Sequence, residues 1–218
     1  MTYSLLLKDE ESNAICGVAA TGNLCVGGWV LRAQAGIGIS ASQGHSPSTF
    51  WGEEALALMN KGQGPHEVVH GLVGPDAGRE YRQLSVVNSA GVTSVFTGRK
   101  NGDYHGSIQF DNGVACGNLL AGKAVLTDIV DFVNTSSLPL IPKLITSLEI
   151  GENQGGDIRG LQSAALLVVK PDAPPLSLRI DYSERPIKAL MALYSRVTTQ
   201  EYQEFLNSVP TLNKMDRY

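Results

Sequence analysis

Thr2 is the residue in this 218-residue chain that can combine two catalytic roles. An initiator methionine is removed when the second residue is small, and removal exposes a threonine with a hydroxyl beside its own α-amine. An α-amine with an ordinary pKa of about 8 can accept the hydroxyl proton, so one residue serves as nucleophile and base in acyl transfer. A retained Met1 blocks that amine. The second candidate is the loop Gly155-Gly156-Asp157-Ile158-Arg159-Gly160, whose glycines let the backbone fold tightly and present both charged side chains. Asp157 and Arg159 either order a site or pair to hold the loop. Ser163 is a small polar residue at the start of a strand, open to either role. Gln43-Gly44 close a strand ahead of a loop, where main-chain N–H groups can stabilise an oxyanion. The charge of Arg32 can hold a nearby amine neutral and lower its pKa.

A competing chemistry is written in His66-Glu67-Val68-Val69-His70, which matches the zinc-hydrolase pattern H-E-x-x-H. That motif needs a long helix and a third ligand. Here Gly64-Pro65 precede it and Gly71 and Gly74-Pro75 follow, leaving about two helical turns. The expected outcome is Val68, Val69 and Leu72 buried, the two histidines on the wet face and no metal. Cys16, Cys25 and Cys116 lack C-x-x-C spacing and read as buried apolar thiols. No glycine run forms a Walker loop or a strand-borne G-x-G-x-x-G, so ATP, NAD and other cofactors are not indicated. A net charge of −4 without a basic stripe argues against nucleic acid. Met1–Asp9 has no positive n-region or cleavage site, and no apolar run approaches a membrane span. A cytoplasmic protein without membrane contact is expected.

With 43% hydrophobic residues, 17% charged and 24 glycines, the chain is too apolar for disorder and too glycine-rich for a helical array. Residues 2 to 7 and 14 to 20 predict a hairpin, followed by strands at 24 to 31 and 35 to 42. Helices are expected from 49 to 59 and from Pro65. Strands at 81 to 88, 92 to 97, 106 to 110 and 113 to 118 read as a β-meander, with Asn112-Gly113 suited to a type I′ turn. Two helices over 121 to 134 and 139 to 150 should pack antiparallel on a sheet. Strands at 162 to 169 and 176 to 182 follow, then one terminal helix at about 184 to 208. Early and late strands sharing a sheet, with helix pairs from separate segments, predict an α+β four-layer αββα sandwich of two mainly antiparallel sheets. No linker divides residues 1–218, so a single domain is expected.

Three segments carry a resemblance: Gly78-Arg79-Glu80-Tyr81-Arg82-Gln83-Leu84, Gly117-Asn118-Leu119-Leu120-Ala121-Gly122 and Gly155-Gly156-Asp157-x-Arg159-Gly160-x-Gln162-Ser163 with the Ala164–Val169 run. In this order, over about residues 2 to 182, the chain resembles the family called domain of unknown function 1028, which is placed in the N-terminal-nucleophile hydrolase superfamily. The resemblance implies the αββα sandwich and a hydrolase mechanism with Thr2 as nucleophile and an amide as target. Members often read Ala-Arg-Ala-Gly where this chain has Ala33-Gln34-Ala35-Gly36, so the cation is absent at position 34 and Arg32, on the same strand face, is its replacement candidate. Two functions remain open at this stage. One is an amidohydrolase for a small amide; the other is a non-catalytic protein binding a charged metabolite through Asp157 and Arg159, or serving in assembly. A homo-oligomer is expected in either case.

Overall fold

The computed structural model describes residues 2–157 and 159–217. In chain order the elements are β1 (Thr2–Asp9), β2 (Ala14–Thr21), α1 (Val26–Trp29), β3 (Leu31–Gln34), β4 (Gly38–Gly44), α2 (Thr49–Asn60), α3 (Pro65–Val73), β5 (Arg82–Asn88) and β6 (Thr93–Thr97). There follow β7 (Tyr104–Phe110), β8 (Gly113–Leu120), α4 (Ala124–Thr135), α5 (Leu140–Asn153), β9 (Ser163–Lys170), β10 (Ala173–Ile180), α6 (Pro186–Val197) and α7 (Gln200–Ser208). The strands form a six-stranded sheet, β10-β9-β2-β1-β8-β7, and a four-stranded sheet, β3-β4-β5-β6. Every strand pairing is antiparallel.

Four layers require three cores, and the strand period of two sorts the side chains into them. On β1, Tyr3, Leu5 and Leu7 join α4, α5 and α6 in one core, whereas Leu6 faces the second sheet. Leu6, Ile15, Ala19, Ile39, Val87, Val114 and Val169 fill the core between the sheets. Trp51, Ala55, Met59, Val68 and Leu72 from α2 and α3 make the third with Leu84 and Val86 of β5. The expected αββα sandwich is therefore observed. Leu144, Ile145 and Leu148 of α5 are fully buried, each such side chain contributing about 1.5–3 kcal/mol.

Several local expectations are corrected. Residues 24 to 31 are not one strand: Cys25 takes φ 60° and starts the single turn α1, which ends before β3. Gly27 fits there because a Cβ would meet Arg179 Cγ at 2.7 Å and Ala165 Cβ at 2.8 Å. The β-meander is also wrong, since β5 and β6 belong to the smaller sheet and β7 and β8 to the larger. Asn101 rivets that crossing: its fully buried Nδ2 donates to Gly98 O (2.8 Å) and Arg82 O (3.2 Å), while Oδ1 accepts from His45 N (2.9 Å). At the β7–β8 turn Asn112 alone carries positive φ, 62°, so the turn is not type I′. Gly113 belongs to β8, and a Cβ there would strike the Phe110 ring at 2.2 Å. The terminal helix is two helices, α6 and α7, interrupted at Thr198-Thr199. Both threonine hydroxyls donate back to α6 carbonyls, competing with continued helix. Cys16 and Cys116 are buried as expected, but Cys25 is half-buried. Among the described residues, no helix is long and apolar enough to cross a membrane.

Candidate active site at the polar end of the sandwich

The layer between the sheets is apolar through most of its length and turns polar at one end. Thr2 and Ser4 begin β1, Asn118 lies near the end of β8, Gln43 near the end of β4, and Gln83 and Ser85 begin β5; all six are buried. Buried amides are tolerated when hydrogen-bonded, and these form a directed network. Gln83 Nε2 donates to Gly117 O at 2.8 Å, which leaves Gln83 Oε1 to accept from Asn118 Nδ2 (2.8 Å) and Gln43 Nε2 (3.1 Å). Gln43 Nε2 also donates to Thr2 O at 3.1 Å, and Gln43 Oε1 accepts from Ser4 Oγ at 2.6 Å. The network thus holds the backbone of Thr2 from the opposite sheet.

A cleft of about 470 Å³ opens over Thr2, within the size range of small-molecule sites. Thr2, Thr21, Gln43 and Gly44 line its inner part; Leu24, Val26, Trp29, Val30 and Pro47 give it an apolar side; Asn23, His45, Leu119 and Arg159 complete it. Thr2 is 8% exposed, and its hydroxyl donates to Thr21 Oγ1 at 3.1 Å. His45 lies on the exposed rim against Tyr81, ring centroids 6.1 Å apart.

The Gly155–Gly160 loop builds one wall. Asp157 Oδ1 accepts from Arg159 N (2.8 Å) and Nε (3.1 Å), and Oδ2 accepts from Arg159 Nη2 (2.9 Å) and from Gly22 N. These bonds raise the pKa of the Arg159 guanidinium further. Gly22 is required at the contact, because a Cβ would stand 2.3 Å from Asp157 Oδ2 and 2.6 Å from Gly160 O. Gln162 Nε2 donates to Gly22 O at 3.0 Å. Ser163 Oγ donates to Asn23 O at 2.7 Å and accepts from Val26 N at 3.1 Å. The segment carrying Gly22, Asn23 and Val26 is therefore fastened to Asp157, Gln162 and Ser163 by four hydrogen bonds.

Of the residues singled out from sequence, Thr2, Gln43, Gly44 and Arg159 meet in the cleft. Asp157 stands behind Arg159, and Ser163 clamps the wall instead of lining it. Arg32 does not join them. Leu31 and Ala33 occupy the face of β3 toward the other sheet, so alternation turns Arg32 outward, where it donates to Gly28 O at 3.0 Å and meets Glu53 at 3.5 Å. His66 and His70 lie exposed on α3, across the smaller sheet from Thr2, and Glu67 Oε2 caps the helix by accepting from Gly64 N at 3.1 Å. Among the described residues, no group of three His, Cys, Asp or Glu side chains could hold a metal ion. Met1, on which the freeing of the Thr2 amine depends, lies outside the described residues.

Sequence reasoning missed Thr21, His45 and Asn118. Thr21 had a signal, because a hairpin turning between residues 11 and 12 sets residue 2 opposite residue 21. Asn118 stood out only as part of the Gly117–Gly122 segment, and its pairing with Thr2, being long-range, had no local signal.

No curated protein matches the chain. The crystal structure of protein SPO2555 from Silicibacter pomeroyi is similar with a TM-score of 0.94 at 44% identity, covering 99% of this chain and 98% of that one. Anbu (ancestral beta-subunit) from Yersinia bercovieri aligns with a TM-score of 0.43 at 11% identity, covering 96% of this chain and 99% of that one. The model of the family of unknown function DUF1028 matches residues 2–190, and the chain belongs to that family.

Proposed function

We propose that the protein is an N-terminal-nucleophile amidohydrolase acting on a small amide, with Thr2 as nucleophile and its own amine as base once Met1 is removed. The observation that carries this reading is the position of Thr2, inside a cleft between two sheets with its hydroxyl 3.1 Å from Thr21 Oγ1 and Arg159 on the wall. In the reaction, Thr2 Oγ1 bonds to the amide carbonyl carbon while its proton passes to the α-amine. Collapse breaks the C–N bond, and the leaving amine takes that proton, leaving a threonyl ester. Water, deprotonated by the same amine, then releases the acid and restores the hydroxyl.

The oxyanion falls to the main chain at Gly44. Ser42 N donates to Val30 O at 3.1 Å, on the β3 side. Alternate N–H groups along a strand point the same way, so Gly44 N–H faces that side beyond the start of β3, where the cleft opens. The Gln43 side chain serves differently, fixing Thr2 through its carbonyl. Arg159, oriented by Asp157, supplies positive charge for an anionic group on the substrate.

Intact-mass measurement and labelling with a β-lactone test the reading together. The expected result is a chain beginning at Thr2 that gains one adduct, and a Thr2→Ala variant that gains none. A protein that keeps Met1 and takes no label refutes it.

A further inference from the structure

Antiparallel register sets Thr21, Thr2 and Asn118 in a row across β2, β1 and β8, on the face toward the second sheet. Asn118 is fully buried, and its Oδ1 accepts no hydrogen bond. Its amide cannot be reversed. Gly117 O fixes the orientation of Gln83, Gln83 Oε1 then demands Nδ2 from Asn118, and Oδ1 is left over. An unpaired buried acceptor keeps its desolvation cost uncompensated, so an occupant for this one is expected.

We propose that Asn118 is a positioning residue whose Oδ1 accepts a hydrogen bond from the α-amine of Thr2 in the mature chain. The inference rests on the reading of Thr2 as the N-terminal residue. A substrate is a poor occupant, because Asn118 is fully buried and does not line the cleft. The amine is a donor that chain maturation itself creates, on the residue directly opposite; Cβ atoms of such pairs lie about 4.5–5.5 Å apart. With one hydrogen held by Asn118, rotation of the amine is fixed and its lone pair is kept for the Thr2 hydroxyl. The same bond stabilises the ammonium formed when the amine takes that proton. Among the described residues, the other titratable groups near this end include Arg159 and His45 on the cleft, Asp157 behind Arg159, and Tyr3, which lies on the opposite face of β1 with its hydroxyl donating to Leu148 O.

The test is the pH dependence of β-lactone labelling at Thr2, read by intact mass on the full-length protein. Asn118→Asp places a carboxylate beside the amine and shifts the profile to higher pH by about 1–3 units. Asn118→Ala removes the acceptor and shifts it to lower pH, and stands alone if the aspartate variant does not fold. Ser85→Ala deletes the second unpartnered buried side-chain atom among the described residues and leaves the profile in place. A structural role alone would change melting temperature without these opposite shifts. Profiles of both Asn118 variants coinciding with that of the parent overturn the proposal while Thr2 remains the nucleophile. An unlabelled parent overturns the catalytic reading, and this proposal with it.

Discussion

Replacing Asp157 by Asn asks whether one buried carboxylate assembles the cleft wall. The side chain of Asp157 is fully buried, whereas that of its partner Arg159 is 47% exposed. Its two oxygens accept from four donors: Gly22 N, and Arg159 N, Nε and Nη2. An asparagine keeps the shape but has one accepting oxygen. In either orientation its NH₂ confronts a main-chain N–H, that of Gly22 or that of Arg159. Leaving a buried donor unmatched costs about 1–3 kcal/mol, and a lost bond to a charged group about 1.5–3 kcal/mol. The guanidinium can be rehydrated, so its share is discounted as for an exposed ion pair. A loss of about 3 kcal/mol results, which for a chain of this size lowers the melting temperature by about 6–12 °C. Arg159→Gln is the control: it removes the exposed partner alone, and a loss below about 1 kcal/mol is expected. Thermal unfolding followed by circular dichroism measures both. The reasoning fails if Asp157→Asn melts with the parent, or if Arg159→Gln costs as much.

Two further outcomes follow from groups outside the cleft wall. Burial pushes the thiols of Cys16 and Cys116 up from 9.0 to about 12, with Asp9 adding to the shift at Cys16 and hydrogen bonds from Thr97 and Gly117 opposing it at Cys116. Their stabilisation is complete below the unfolded value and is lost as pH rises toward 12, so alkaline titration of stability should fall over that window and iodoacetamide should modify Cys25 alone in the native protein; three native adducts would contradict this. Asn101→Ala strips Gly98 O, Arg82 O and His45 N of their shared partner in a fully buried position and should lower urea stability by about 2–4 kcal/mol, an unchanged midpoint being the contrary result.

The layers were legible because alternation and helical spacing are local. Residues 2 to 7 read as a strand, as observed, and its Leu5-Leu6-Leu7 centre is buried on both faces. The spacing of Val125, Ile129, Phe132 and Val133 predicts α4, whose buried side includes three of these four. Partnership between strands joined by a short turn, β1 with β2 and β7 with β8, was legible too, but partnership over longer separations was not. Thr93–Thr97 and Tyr104–Phe110 look like successive members of one sheet, and the decision that separates them is made by the Asn101 side chain, whose partners lie as far away as His45. Val26–Trp29 spans a single turn, too short for periodicity to distinguish it from a strand.

The site shows the same division more sharply. Thr2 and Gln43 stand out in the sequence for what their groups can do, whereas Gln83 and Asn118 look like ordinary polar punctuation near a strand end, and none of the four carries a charge. Stacking one sheet on the other brings all four into a single buried layer, where each amide must find a partner or carry its desolvation cost. Gln43 Nε2 donates both to the Thr2 carbonyl and to Gln83 Oε1, and Gln83 Nε2 donates on to Gly117 O. Arg32 fails as a site residue for a reason the sequence does contain: once Leu31 and Ala33 are taken inward by the core, the residue between them must face out. Charge is therefore an uneven guide to this cleft, pointing correctly to Arg159 and wrongly to Arg32. Burial of neutral polar groups at the ends of strands is the better one, since it persists only where a close network, or an occupant still to arrive, offsets its cost.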